Sequence, residues 1–259
     1  MSSTLPTTFF GWVTFLLNQY GGLFLRGTGM TLLIAVAGTV FGFLIGLLVA
    51  IVRTIPLDGA KWYRWPVKAL QWLLGVYIEV FRGTPMIVQS MVIYYGAMQF
   101  LGVDMNKLVA AILIVSINTG AYMAEIIRGG IISIDKGQTE AAHSIGLTHW
   151  QTMVSVVLPQ AVRNIMPSIG NEFVVNIKDS SVLNVISVTE LFFQAKSATG
   201  TYFKYFEVYF IVAMIYLVLT FTITRILRLI EKKMDGPENY MIHGSQSDSH
   251  AAITVHEED

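Results

Sequence analysis

From residue 27 to residue 52 the chain runs for 26 positions without a charged side chain. A helix rises about 1.5 Å per residue, so this segment outreaches the ~30 Å hydrocarbon core of a bilayer. In lipid, only helices and closed barrels satisfy their own backbone polar groups. Residues 83–103, 108–124 and 208–224 are three further windows free of charge. Charged residues make up 13% of the chain and hydrophobic ones 54%, against about 25% charged in soluble domains. These features predict an all-α fold, a polytopic membrane helical bundle.

A fifth crossing is expected over residues 165–189, although Glu172, Lys178 and Asp179 fall inside it. The reason is charge asymmetry, since Lys and Arg concentrate on the cytoplasmic side of membrane proteins. Arg53, Lys61, Arg64, Lys68 and Arg82 follow the first window; Arg128, Lys136 and Arg163 flank residues 134–160; Arg225, Arg228, Lys232 and Lys233 follow the last window. An even number of crossings must then separate residues 134–160 from the C-terminus. The expectation is five transmembrane helices, with the N-terminus outside and the C-terminus cytoplasmic. Arg26, Lys107, Lys196 and Lys204 would lie outside. Residues 62–82 are amphipathic and carry Lys68, Glu79 and Arg82, so they are read as an elbow at the inner surface, with Arg82 anchoring the cytoplasmic end of the second span.

Three regions follow: an extracytoplasmic N-terminal segment over 1–26, a transmembrane domain over 27–233, and a polar, disordered cytoplasmic tail over 234–259. The first residues carry no Lys or Arg before the apolar stretch, which does not fit a cleaved signal peptide. His243, His250 and His256 in the tail match no metal-ligand spacing and are read as solvated. With no cysteine and zero net charge, thiolate metal sites and disulfides are excluded and nothing points to nucleic acid.

Residues 140–159 read EAAHSIGLTHWQTMVSVVLP. Ala141 and Ala142 favour helix, Gly146 suits a left-handed cap, and Thr148 can cap a second helix that stops at Leu158-Pro159. Glu140, Ala141, Ala142, Gly146, Val156, Leu158 and Pro159 together resemble the cytoplasmic "EAA" loop of permease subunits in type I ABC importers. Three more elements resemble the polar amino-acid permeases of that superfamily, the group with histidine, glutamine and arginine systems. They are Gly29-Met30-Thr31-Leu32, the run from Glu79 to Pro85, and Gly170-Asn171-Glu172-Phe173 with Lys178-Asp179-Ser180-Ser181. Coverage runs from about Gly22 to Lys233. The resemblance implies a coupling loop over 134–160 that docks on a separate ATPase, which would bind ATP and Mg, with no cofactor in this chain. It further implies a second permease subunit, identical or different, an extracytoplasmic substrate-binding protein, a polar amino-acid substrate and a prokaryotic cell membrane. His143 and His149 would be surface residues of the loop.

Charges at membrane depth are expensive and mark candidate ligand contacts. Glu172 and Asp179 are seven residues apart, nearly eclipsed on a helix, with Asn176 between them on the same face. Lys178 projects elsewhere, where Asn171, a carboxylate or the substrate's own carboxylate can meet it. Gly170, Ser180 and Ser181 can loosen the helix and free backbone groups. Two readings stay open: these groups line the substrate pathway, or Lys178 and Asp179 hold the helix against a partner subunit. Asn118, Thr119 and Tyr122 are polar groups for interhelical hydrogen bonds or, for Asn118 and Tyr122, further pathway contacts. Glu125 and Arg128 are placed to pair one turn apart. Gly38, Gly42 and Gly46 offer one face for close helix approach. Pro85 suits the first turn of a helix, with Thr84 as its cap.

The chain contains no Gly-Lys dipeptide, no H-E-x-x-H and no G-x-S-x-G, so phosphate-cradle, zincin and nucleophile-elbow chemistry are not expected within it. The competing class is a secondary transporter or channel driven by an ion gradient, in which the residue 165–189 charges would serve as ion sites.

Overall fold

The computed structural model describes residues 5–55 and 61–235. The expected tail, with its three histidines, falls outside the described residues from 236 onward. Regular structure among the described residues is helical: α1 (Phe9–Thr54), α2 (Lys61–Gly83), α3 (Met86–Leu101), α4 (Lys107–Ile132), α5 (Lys136–Ser144), α6 (His149–Thr152), α7 (Leu158–Asp179), α8 (Leu191–Tyr202) and α9 (Tyr205–Asp235). By length and apolarity, Phe9–Thr54, Lys107–Ile132 and Tyr205–Lys233 can each cross a membrane, and Met86–Leu101 is a shorter apolar helix.

α1 starts well before residue 27. Thr8 caps it by accepting from the Gly11 N–H, and 46 residues then run without interruption, so no helix break divides residues 9–26 from the first span. Gly21 and Gly22 weaken a helix intrinsically, but tertiary packing overrides them. Trp12, Leu16 and Phe24 are buried with Leu191 and Ala195 of α8 and Val208, Ile211 and Val212 of α9.

Deeper in, Gly38, Gly42 and Gly46 face Val115, Thr119 and Met123, and a Cβ on any of the three would collide with α4. The paired numbers rise together, so α1 and α4 run parallel at backbone-close range, a seam inside one subunit. The seam ends in a charge cluster where Glu125 accepts from both Arg53 of α1 and Arg128 of α4. The expected Glu125–Arg128 pair is therefore half of an interhelical triad.

The reading of residues 62–82 as a surface elbow is corrected. Gln71 donates to the Val52 and Ile55 carbonyls at the end of α1, Tyr77 to the Ile117 carbonyl, and Asn118 to the Phe81 carbonyl. α2 thus climbs antiparallel along α4 to its midpoint. There it breaks, and α3 continues beyond Pro85, which lacks the N–H that helix continuity would use. Arg82 sits at this break and not at the end of a span. Thr84 does not cap α3 either: its hydroxyl donates back to the Val80 carbonyl, and the N-cap is Pro85, with no side-chain bond.

α7 runs antiparallel to α4, with Ile165 against Gly130 and Asn176 bonded to Thr119. It also runs antiparallel to α9, with Leu227 against Gly170. The helix expected to stop at Leu158-Pro159 does not stop. Met153–Val157 form a π-helical turn in which the Leu158 N–H donates to the Met153 carbonyl five residues back, and α7 follows directly with Pro159 in its first turn. The widened turn ends where Pro159, which has no N–H to donate, enters the first turn of α7. At its other end α7 tightens at Ser180 into a 3-10 helix, Ser180–Ile186, where the serine pair was expected to loosen it.

Candidate translocation site and coupling loop

The loop of residues 134–160 is built from two short caps. Asp135 accepts from the Gly137 N–H to start α5. α5 ends in a Schellman arrangement, in which Leu147 N–H donates to the Ala142 carbonyl and Gly146 N–H to that of His143. Gly146 has φ +85°, a left-handed conformation that suits glycine. Thr148 and Gln151 form a capping box: the Thr148 N–H donates to Gln151 Oε1 at 2.9 Å, and the Gln151 N–H to Thr148 Oγ1 at 3.3 Å. Ala142 is buried, while Glu140 and Ala141 face outward. The side chain of His149 is outside the described residues. Sequence reasoning passed over two residues here. Ile145 is 79% exposed and Trp150 74% exposed, large apolar groups at the tip of an otherwise polar hairpin. Leu158 and Pro159 are exposed in the first turn of α7, beyond the hairpin itself.

The candidate pathway residues divide into three groups. Asn176 is buried and spoken for: its Nδ2 donates to Thr39 Oγ1 at 2.9 Å and its Oδ1 accepts from Thr119 Oγ1 at 3.1 Å. The pair ties α7 to α1 and α4, so the amide expected between the two carboxylates points into the bundle. Asn118 is likewise engaged, with Gln89 Oε1 at 2.9 Å. Ser180 is buried and donates to the Ile177 carbonyl.

Glu172 and Asp179 form the second group. Both are half-buried and carry no hydrogen bond among the described residues. Asp179 and Arg82 lie close enough to Glu172 for their charges to act on it. The Arg82 guanidinium stacks 5.5 Å from the centroid of the Tyr122 ring, a cation–π arrangement. The helix break therefore brings a cation beside Tyr122, halfway along α4, and within charge range of Glu172. Arg82 was read from sequence as an anchor. Only the path of α2 shows that it belongs here.

Lys178 and Asn171 are the third group, seven residues apart on the face of α7 that meets α9. Lys178 lines a groove with Thr220, Arg225 and Arg228, and Asn171 an adjoining one with Thr224 and Arg228. They do not converge with Glu172 and Asp179.

A single-carboxylate cap completes the arrangement. Glu190 is fully buried, accepting from the Phe192 and Phe193 N–H groups at 2.7 Å and from the Tyr216 hydroxyl at 3.3 Å. No group of three or more metal-ligating side chains occurs among the described residues.

Residues 42–236 match the family model described as "Binding-protein-dependent transport system inner membrane component". The chain belongs to this family of transport permeases. The match takes in the α2–α3 break, the capped hairpin and α7. The chain is 39% identical over 213 residues to the glutamine transport system permease protein of Escherichia coli (strain K12), covering 82% of this chain and 93% of that protein. It is 34% identical over 210 residues to the arginine transport system permease protein of Bacillus subtilis (strain 168), covering 81% and 91%. A crystal structure of an amino acid ABC transporter with histidines superposes with a TM-score of 0.76 at 40% identity, covering 84% of this permease and 96% of that chain. Inward-facing structures of a methionine ABC transporter share the fold, with a TM-score of 0.66 at 20% identity. The permease is thus a multi-pass membrane protein.

Proposed function

We propose that this permease forms the translocation pathway of an ABC importer for polar amino acids, powered by ATP hydrolysis in a separate subunit. The observation that carries the reading is the family match; Arg82, beside Tyr122, and Asp179 both act on Glu172 through their charges, which supports one shared space for these groups. In that space the carboxylates attract the substrate's ammonium group and Arg82 its carboxylate, a pairing that suits a zwitterionic amino acid. The similarity to glutamine and arginine permeases supports this substrate class.

The helix directions support five crossings: α1, the broken α2–α3 unit, α4, α7 and α9. The bias of Lys and Arg supports an outside N-terminus and a cytoplasmic coupling loop. Two permease subunits, identical or mixed, enclose the pathway. Residues 134–160 seat in a cleft of the ATPase, with Ile145 and Trp150 as apolar anchors, and ATP and Mg bind there and not in this chain. ATP binding draws the two loops together and opens the pathway outward, where an extracytoplasmic binding protein delivers substrate; hydrolysis resets it. An ion-driven transporter has no comparable support, since its relatives are binding-protein-dependent.

The test is reconstitution in proteoliposomes with the cognate ATPase and binding protein. Uptake of a polar amino acid that requires both partners and ATP is the expected result. Uptake driven by an ion gradient without the ATPase would overturn the proposal.

A further inference from the structure

The face of α7 that carries Lys178 opens onto α9 in a groove of about 320 Å³ lined by Val174, Lys178, Leu217, Thr220, Phe221, Thr224, Arg225 and Arg228. We propose that this groove is a binding site for an anionic phospholipid, its phosphate held by Arg225, Arg228 and Lys178 and its acyl chains laid along Leu217 and Phe221.

Three observations carry this. First, none of the three cations has a carboxylate within ion-pair distance among the described residues. The three take no part in the ion pairs Arg53–Glu125, Arg128–Glu125 and Lys204–Glu207. Asp179, beside Lys178, acts on it only through longer-range charge. Glu231, one turn beyond Arg228, lines the adjoining groove but makes no ion pair with it. The Arg225 guanidinium lies over the Phe221 ring, 4.9 Å from its centroid. Three cations without an ion pair among the described residues converge on one cavity, an arrangement that attracts an anion.

Second, α9 changes character at this place. Residues 208–224 carry no charge and Arg225, Arg228, Lys232 and Lys233 follow, the pattern of a helix leaving hydrocarbon for the headgroup layer. A phosphate at Arg225 and Arg228 sits at that boundary, and the long stem of Lys178 can snorkel to it from deeper in the groove.

Third, the groove is open laterally and amphipathic. Leu217 and Phe221 are each 57% exposed, so an apolar strip runs from the cations along the outward-climbing side of α9. A soluble anion would use the cations and leave the strip bare, whereas a phospholipid uses both.

The site lies on a different face of α7 from Glu172 and Asp179, so the proposal stands apart from the substrate reading and needs only that the chain is embedded in a membrane. The experiment is native mass spectrometry of the full permease assembled with its ATPase, with phosphatidylglycerol and phosphatidylcholine of matched chains supplied at equal mole fraction. Retention of phosphatidylglycerol should exceed that of phosphatidylcholine by at least about tenfold. R225Q and R228Q should each weaken it about fivefold, at ~1 kcal/mol per cation, while R163Q, outside the groove, leaves it unchanged. Should the double variant fail to assemble, the single variants and the headgroup preference of the unaltered complex decide. Equal retention of both lipids would overturn the proposal, as would an unchanged preference in R225Q and R228Q. Displacement by glycerol phosphate as effectively as by the intact lipid would make it a soluble-anion site. Displacement by the transported amino acid would return the groove to the substrate pathway. Absence of lipid from the assembled complex would mean that protein covers it.

Discussion

Gln89 holds a broken helix together through Asn118. The Asn118 Nδ2 donates to Gln89 Oε1 at 2.9 Å, while Gln89 Nε2 donates to the Phe81 carbonyl at 2.9 Å and to the Thr84 carbonyl at 2.8 Å. The Arg82-Gly83-Thr84-Pro85 break frees these carbonyls where little water can serve them, and one glutamine on the next helix satisfies both. Gln89→Leu leaves the Thr84 carbonyl unpaired and Phe81 and Asn118 with only their mutual 3.4 Å bond, and is expected to destabilise the permease by about 1–3 kcal/mol. Thermal unfolding in detergent reads this directly. An unchanged midpoint would show that water enters the break.

The hairpin makes a second prediction. Gly146→Asp forces a carbon side chain into φ +85°, which costs on the order of 1 kcal/mol, and sets a charge beside the proposed ATPase cleft. It should abolish ATPase co-purification while the permease still inserts. Trp150→Ala keeps the backbone and removes an anchor, and is expected to weaken association by at least ~2 kcal/mol, about thirtyfold. Normal capture by both variants would place the interface elsewhere.

Orientation is tested by labelling. Ser144 ends α5 and Ser197 lies in α8, and both are exposed. In whole cells, a membrane-impermeant thiol reagent should modify Ser197→Cys and reach Ser144→Cys only after permeabilisation. The reverse pattern means that the chain is inverted.

Substrate contact and scaffold separate within α7. Glu172→Gln, Asp179→Asn and Arg82→Gln should leave assembly intact and weaken uptake, each by about 2–5 kcal/mol for a desolvated charged contact. Losses at the two carboxylates should be larger for a cationic than for a neutral substrate if they read the side chain. Asn176→Ala, by contrast, leaves the Thr119 hydroxyl without its acceptor and removes the amide that donates to Thr39, and should lower thermal stability whatever the substrate. Uptake at the unaltered rate in all three charge variants would move the site away from this space.

What could be read along the chain were properties of contiguous residues. The charge-free windows, the glycine face of residues 38–46 and the cap chemistry of residues 140–151 each need only a helix period or a turn type, and each appears in the fold. The helix stop at Leu158-Pro159 could not be read correctly, because a π turn absorbs the proline by changing a backbone bond and not by any residue preference.

Tertiary structure decided which faces meet. Spacing places Glu172, Asn176 and Asp179 on one side of a helix, yet Asn176 turns inward because Thr39 and Thr119, from two other helices, complete its hydrogen bonds. The charge of Arg82 acts on Glu172 across 90 residues of sequence because α2 packs along α4 before breaking. A helical period assigns residues to faces, but the partner of each face is set by packing between distant helices, and in a bundle held by close contacts and buried polar pairs that choice determines which charges share a space.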